Sequence, residues 1–297
     1  MHSELPTLSV YGAGKLGQTL AHLWRARKLV NIGQVLCRTQ AAADAAVAFI
    51  GSGRGCTPDA EPEAADFWLI SPPDAHITEA ALWLAPAASE GCTLFHCAGS
   101  LNHQALSPAL PAALASVHPV HAFTHAQQPP HGLEGVACVA EGQPAALAKL
   151  KPLFEQLGCH WFNLANESEH AKALYHAATV SASNHLVSLL DQALRMAERA
   201  GLSRANASRI LAPLARNNVE NILHGQAKTV LTGPVSRGDS ATLAKHFAAQ
   251  STLAMSETDQ QLYAALARAT LAIAKQQLAC EQDKLAGIEA LLARQAH

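Results

Sequence analysis

The sequence predicts an α/β domain built on a doubly wound parallel sheet, followed by an all-α domain. Over residues 7–160 short apolar runs alternate with Ala-rich stretches of helical character, which is the rhythm of βαβ units. Beyond residue 164 strand-like runs vanish and helical stretches continue to the C-terminus. A length of 297 residues suits two domains, and a hydrophobic share of 49% is ample for a core in each. The expected division is 1–164 and 165–297.

Strands are expected at 8–11, 32–37, 67–70, 93–97, 116–118 and 136–139. Several are near-continuous apolar runs, as strands covered on both faces must be. Helices are expected between them at 17–28, 75–84 and 144–157. Asn166 followed by Glu169 reads as an N-cap with a glutamate at N3, and neither Gly nor Pro appears until Gly201. One helix of about 34 residues, about 50 Å long, should follow. Residues 173–190 contain no formal charge, but Tyr175, His176, Thr179, Ser181, Ser183, Asn184, His185 and Ser188 make them too polar for lipid. A central helix packed on several sides is the better account. Further helices are expected at 204–215, 217–225, 240–249 and 257–293.

The charges nearly cancel, with 21 Lys and Arg against 23 Asp and Glu, so no bulk field is available for a nucleic-acid backbone or an anionic membrane surface. The expected partner is a small molecule. Seven cysteines form no CxxC pair and 16 histidines form no HExxH, which argues against a disulfide framework and a metal site. The N-terminus lacks the basic start and apolar run of a secretory signal, and a cytoplasmic setting is expected.

The strongest local motif is Gly12-Ala13-Gly14-Lys15-Leu16-Gly17, after the first strand and opening the first helix. Gly12 permits a tight turn, Gly14 lets backbone approach a pyrophosphate, and Gly17 allows close packing of helix on strand. The helix N-terminus adds amide donors and a positive dipole end. This is a Rossmann-type fingerprint; the other reading is a tight turn without a ligand. An NAD-preferring site places a carboxylate after the second strand, where this chain has Arg38 and Thr39. A guanidinium can grip a 2′-phosphate, so NADP (NADPH) is the expected cofactor, the alternative being a solvated Arg38 at a strand end. Ser71 and Pro72 end another strand and fall where open α/β sheets bind ligands, as does Ser100; each serine is equally readable as a turn or cap residue.

Five stretches resemble a known family: GAGKLG at 12–17, HCAGS at 96–100, SVHPVHAF at 116–123, KALYHAATVSASNHLVSLLDQA at 172–193 and LTGPVSRGD at 231–239. The family consists of two-domain proteins with an N-terminal Rossmann-like domain and a C-terminal helical domain of unknown function. By fold it is similar to the 6-phosphogluconate and β-hydroxyacid dehydrogenase group, alongside ketopantoate reductases, pyrroline-carboxylate reductases and deazaflavin-dependent NADP oxidoreductases. The resemblance implies a helical domain like that of 6-phosphogluconate dehydrogenase, a homodimer through that domain, and ketopantoate reduction as a candidate activity. Residues 263–279, rich in Ala and Leu, suit a dimer seam or intramolecular packing equally well. His121 departs from the pattern, which expects glutamine there.

Ketone reduction by NADPH needs a proton donor and positive charge near the developing alkoxide. Lys172 and His176 are spaced i, i+4 on the long helix, with Thr179 and Ser183 continuing that face and Asn184 a third of a turn away. Lys172 is the leading catalytic candidate against a capping or surface lysine, His176 a competing acid, and Asn184 an orienting group or a satisfied buried amide. Arg237 is a candidate clamp for a substrate carboxylate, with Asp239 orienting it or capping the next helix. His118, before Pro119, either faces a cleft or satisfies a loop carbonyl. The sequence thus predicts an NADPH-dependent reductase of a small oxo acid, its proton supplied by an interdomain Lys or His. The alternatives are an NADP-binding sensor without turnover, and hydride exchange with another redox carrier.

Overall fold

The computed structural model describes residues 5–126, 132–225, 227–277 and 282–294. Contacts divide the chain into two compact units, Met1–Ser181 and Ala182–His297. The first unit opens with β1 (Thr7–Tyr11), α1 (Lys15–Ala26), β2 (Asn31–Leu36), α2 (Gln40–Ile50), β3 (Arg54–Cys56), β4 (Phe67–Ile70), α3 (Ile77–Leu84), β5 (Thr93–His96) and β6 (Ala113–Pro119). It closes with β7 (Ala137–Gly142), α4 (Pro144–Glu155), β8 (His160–Asn163) and α5 (Glu169–Val180).

The strands form one sheet of order β3-β2-β1-β4-β5-β6-β7-β8. Strands β1 to β6 pair in parallel, β7 runs antiparallel to β6, and β8 pairs parallel to β7. The chain steps outward from β1 in one direction and from β4 in the other, so a crevice opens at the carboxyl ends of β1 and β4. The doubly wound α/β class predicted from the sequence is the one found.

Strand alternation divides the first unit's core between two faces. Phe67 and Leu69 join Leu8, Val10, Trp24 and Phe154 in one apolar cluster, while Trp68 and Ile70 join Ile77, Leu84 and Leu106 in the other. Trp24 lies edge-on to Phe154 at 5.1 Å, and its Nε1 donates to the Leu153 carbonyl at 2.9 Å, tying α1 to α4.

Several elements depart from the sequence expectation. The short β3 and the exposed edge strand β8 were not anticipated as strands, and α2 was not singled out. Ser168 caps α5, its Oγ accepting from the Ala171 amide at 3.2 Å. Asn166 lies two residues upstream and accepts from the Ser168 amide at 3.1 Å, so it shapes the approach to the helix and does not cap it. The single regular helix expected after it is interrupted by a π-turn at Ser181–His185, where one residue is inserted into the α-ladder. Strands do end at Asn163, close to the sequence boundary, and α5 belongs to the first compact unit.

The second unit contains α6 (Leu186–Arg199), α7 (Arg204–His224), α8 (Ala227–Val230), α9 (Ser240–Thr252), α10 (Glu257–Gln277) and α11 (Gln282–Ala293). Helix α7 runs unbroken through Pro213 where two helices were expected, and the long stretch expected at 257–293 is two helices. Ala264, Ala267, Leu271 and Ala274 of α10 pack with Leu243 and Ile288 in this unit's core, so the face that suited a dimer seam is used within the unit. Part of the 263–279 stretch lies outside the described residues. No helix among the described residues is long and apolar enough to cross a membrane.

Candidate functional site

At the crevice between β1 and β4 lies a cavity of about 800 Å³, whose walls include Gly12, Ala13, Gly14, Arg38, Thr39, Ser71 and Pro72. Seven of the ten residues expected at a dinucleotide site are therefore brought together. The remaining three have other places: Lys15 is exposed at the first turn of α1, Leu16 packs on the sheet's core, and Gly17 is buried.

The local geometry explains the glycines. Gly12 has φ +80°, and a Cβ there would lie 2.5 Å from the Pro72 nitrogen. A Cβ at Gly17 would meet Ser71 Oγ at 2.5 Å, and that hydroxyl donates to the Gly12 carbonyl at 2.9 Å. Around Gly14 nothing lies within 4 Å of a built Cβ. Gly14 is the N-cap of α1 and supplies no side-chain cap, which leaves first-turn amides open at the cavity. That arrangement fits a pyrophosphate. Arg38 is exposed at the wall and has no ion-pair partner among the described residues. Thr39 caps α2, its Oγ1 accepting from the Ala42 amide at 3.3 Å. One acidic lining residue, Glu79, was not foreseen; it comes from α3 and bonds His76 Nδ1 at 3.0 Å.

Beyond the cavity wall, Ser100 Oγ donates to Asp74 Oδ2 at 3.2 Å, joining the loop after β5 to the loop after β4. Next to Ser100, Gly99 lies against two imidazoles: a Cβ there would be 2.9 Å from His176 Nε2 and 3.2 Å from His118 Cε1. The His118 and His176 rings meet edge to face at 6.0 Å. His118 Nδ1 is hydrogen-bonded to the Tyr175 hydroxyl at 2.9 Å. Lys172 is fully buried, its Nζ has no hydrogen-bond partner among the described residues, and it stands 5.6 Å from the centre of the Tyr175 ring. Four sequence candidates, Ser100, His118, Lys172 and His176, thus converge on the carboxyl ends of β5 and β6.

The electrostatics of this cluster follow from burial. Burial lowers the pKa of Lys172, opposed by the negative charge of Glu141. His118 is held down to about 4 by burial, then by the charges of Lys172 and His176. Tyr175 is pushed up to about 12, chiefly by burial. His96, also buried, is lowered to about 4; its Nδ1 accepts from the Ala98 amide and its Nε2 donates to the Asn102 carbonyl at 3.0 Å. Glu141 is itself buried and takes two bonds from His103, through the backbone amide at 2.9 Å and the imidazole. That carboxylate raises the pKa of His103.

Asn184, Arg237 and Asp239 belong to the second unit. Asn184 is exposed in the π-turn and accepts from Ser183 Oγ at 2.9 Å. Asp239 caps α9, accepting from the Thr242 amide at 2.9 Å and hydroxyl at 2.6 Å, and these bonds hold its carboxyl below the usual range. Arg237 is exposed and forms no ion pair with Asp239. Of the two roles open to Asp239, capping is the one the geometry displays.

Tyr175, Gly99, Glu141 and His103 were missed as site residues. A carboxylate inside the apolar run of β7 was a usable signal for Glu141, since a charge is rarely buried without a partner. Tyr175 and Gly99 carried no such mark.

The chain matches no curated protein. A family model described as a domain of unknown function, DUF2520, matches residues 136–270. Among solved structures the chain is similar to protein TM1727 from Thermotoga maritima, at 22% identity and TM-score 0.66, over 91% of this chain and 99% of that one. It is also similar to a reductive aminase from Aspergillus terreus in complex with NADPH and ethyl-5-oxohexanoate, at 16% identity and TM-score 0.68, over 90% and 94% of the two chains. A third is an imine reductase variant from Myxococcus stipitatus in complex with NAD+, at 15% identity and TM-score 0.63, over 98% and 99%. The chain has the Rossmann-like fold of nicotinamide-dependent oxidoreductases.

Proposed function

We propose that the protein is an NADPH-dependent reductase of a small oxo acid, with ketopantoate-like compounds as candidate substrates. The observation that carries the reading is Lys172, fully buried near the carboxyl ends of β5 and β6 and without a hydrogen-bond partner among the described residues. An unpaired buried cation is costly, so such a site is complementary to negative charge that arrives with the substrate or develops on a carbonyl oxygen. A protonated imine carries positive charge and is disfavoured beside Lys172, which argues for C=O over C=N although imine reductases share the fold.

In this reading the open amides of α1 and the Gly12–Gly14 turn hold the pyrophosphate, and Arg38 holds the 2′-phosphate. When bound, NADPH supplies a hydride. Lys172 gives the proton or stabilises the alkoxide; burial lowers its pKa and makes it a better acid than an exposed lysine. His176, against Gly99, is the competing donor.

The test is NADPH consumption by the purified protein across a panel of 2-oxo acids, imines and deazaflavin carriers. Turnover of oxo acids in preference to imines is expected. Turnover confined to imines or carriers would replace the substrate class, and NADPH binding without turnover of any compound would make the protein a sensor.

A further inference from the structure

Tyr175 stands between Lys172, on which the proposed reduction depends, and His118. Its hydroxyl is 2.9 Å from His118 Nδ1, the two rings meet edge to face at 5.8 Å, and Lys172 Nζ is 5.6 Å from its ring centre. The other nitrogen of His118, Nε2, has no hydrogen-bond partner among the described residues, and the ring is half-buried beside Gly99. Burial and the neighbouring charges of Lys172 and His176 keep His118 neutral near pH 7, so its imidazole carries one proton. Which nitrogen carries that proton is set by what the other one bonds. The Tyr175 hydroxyl retains its own proton at neutral pH and is therefore able to donate it to Nδ1.

We propose that Tyr175 is a positioning residue that fixes His118 as its Nε2–H tautomer, so that a neutral imidazole N–H is presented to the oxygen of the substrate carbonyl. A phenolic O–H donating to Nδ1 leaves the imidazole proton on Nε2. A neutral imidazole gives a hydrogen bond and keeps its proton, since losing it would leave an imidazolate. His118 therefore polarises the carbonyl, while the transferred proton comes from Lys172 or His176. The tautomer is a property of the resting protein; only its use on a substrate rests on the reduction proposed above.

Nitrogen NMR of the full chain with labelled imidazoles reads the tautomer without any substrate, His118 being assigned by the signal lost in His118→Gln. At about pH 8, where a histidine of low pKa is neutral, the Nε2–H form is expected in the wild type, with the balance moving toward Nδ1–H in Tyr175→Phe. Turnover of the best oxo acid should fall about tenfold in Tyr175→Phe through kcat, with KM for NADPH unchanged. An Nδ1–H tautomer in the wild type, or one unmoved by Tyr175→Phe, overturns the positioning role. An unchanged kcat in Tyr175→Phe overturns the use of His118 on the carbonyl. If no oxo acid is reduced, the proposed function and that use fall together, while the spectrum still decides what Tyr175 does.

Discussion

The ring of His176 lies so close to the Gly99 backbone that a Cβ at residue 99 would stand 2.9 Å from its Nε2 and closer still to its Cδ2. The loop after β5 thus leaves room for an imidazole that α5 brings in. Gly99→Ala should displace His176, lowering turnover about tenfold or more while NADPH affinity stays within about twofold, because the cradle is formed elsewhere. Steady-state kinetics beside cofactor titration check this; unchanged turnover would show that the position of His176 is immaterial.

Arg38 is the residue proposed to set the cofactor choice. It is exposed at the cavity wall without an acidic partner among the described residues, and the residues directly after β2 are Cys37, Arg38 and Thr39. Arg38→Ala should weaken NADPH binding about tenfold, the loss of one charged hydrogen-bonding partner worth about 1.5–3 kcal/mol, and leave NADH binding nearly unchanged. Fluorescence titration with both cofactors decides it, and equal losses for the two would refute the assignment.

Lys172 is expected to be a catalytic asset and a structural liability. Its folded pKa is depressed, so the unfolded chain binds the proton more tightly and stability rises as pH climbs toward the unfolded value of about 10.4. Lys172→Met should therefore raise the melting temperature at neutral pH while turnover falls about a hundredfold. Scanning calorimetry and kinetics on the same sample test both halves; a destabilised variant would mean that the ammonium is better compensated than its surroundings indicate.

The acid limit of stability should be set partly by His96. Its folded pKa is about 4 against the ordinary 6.5 of a histidine, so its contribution is present above pH 6.5 and is lost as pH falls toward 4. That gap corresponds to about 3 kcal/mol. Gln in its place can accept from the Ala98 amide and donate to the Asn102 carbonyl without titrating. His96→Gln should flatten the dependence of urea-unfolding free energy on pH between about 4 and 7. His103 acts in the opposite sense: Glu141 raises its pKa, so its contribution is full at low pH and is lost as pH rises through the folded value.

A homodimer through the helical domain is a further proposal, and α7 is its best support. Ile210 and Leu214, four residues apart, are 57% and 59% exposed, whereas the apolar face of α10 is already buried within its unit. Leu214→Glu should yield a monomer by sedimentation at micromolar concentration. Identical sedimentation of variant and wild type would exclude this face.

What the sequence discloses is what lies contiguous along the chain. GAGKLG is read directly because turn, phosphate approach and helix packing fall within six residues, and Lys172 with His176 is read because helical spacing puts them on one face. Tyr175 adjoins His176 but acquires its meaning from His118, a residue on a distant strand, so no local pattern marks it. Gly99 looks like any turn glycine until His176 is packed on it. In edge strand β8 three of the four residues are exposed, and it lacks the apolar run that identified the others. For Asp239 the sequence left clamp and cap open, and three-dimensional geometry displays the cap.

Helices α2, α5, α7 and α9 each begin on a side chain, Thr39, Ser168, Ser203 or Asp239, that accepts from the first turn, whereas α1 begins on Gly14 and has none. In the proposed cofactor site an anion received there would complete the helix as those oxygens complete theirs, so that ligand occupancy and local folding would be one equilibrium. A substitution such as Gly14→Asp would supply the missing acceptor from within, firming the ligand-free protein by about 1 kcal/mol while repelling the phosphate proposed to bind there. Selecting this chain for heat resistance alone would therefore drift toward molecules that are sturdier and can no longer bind.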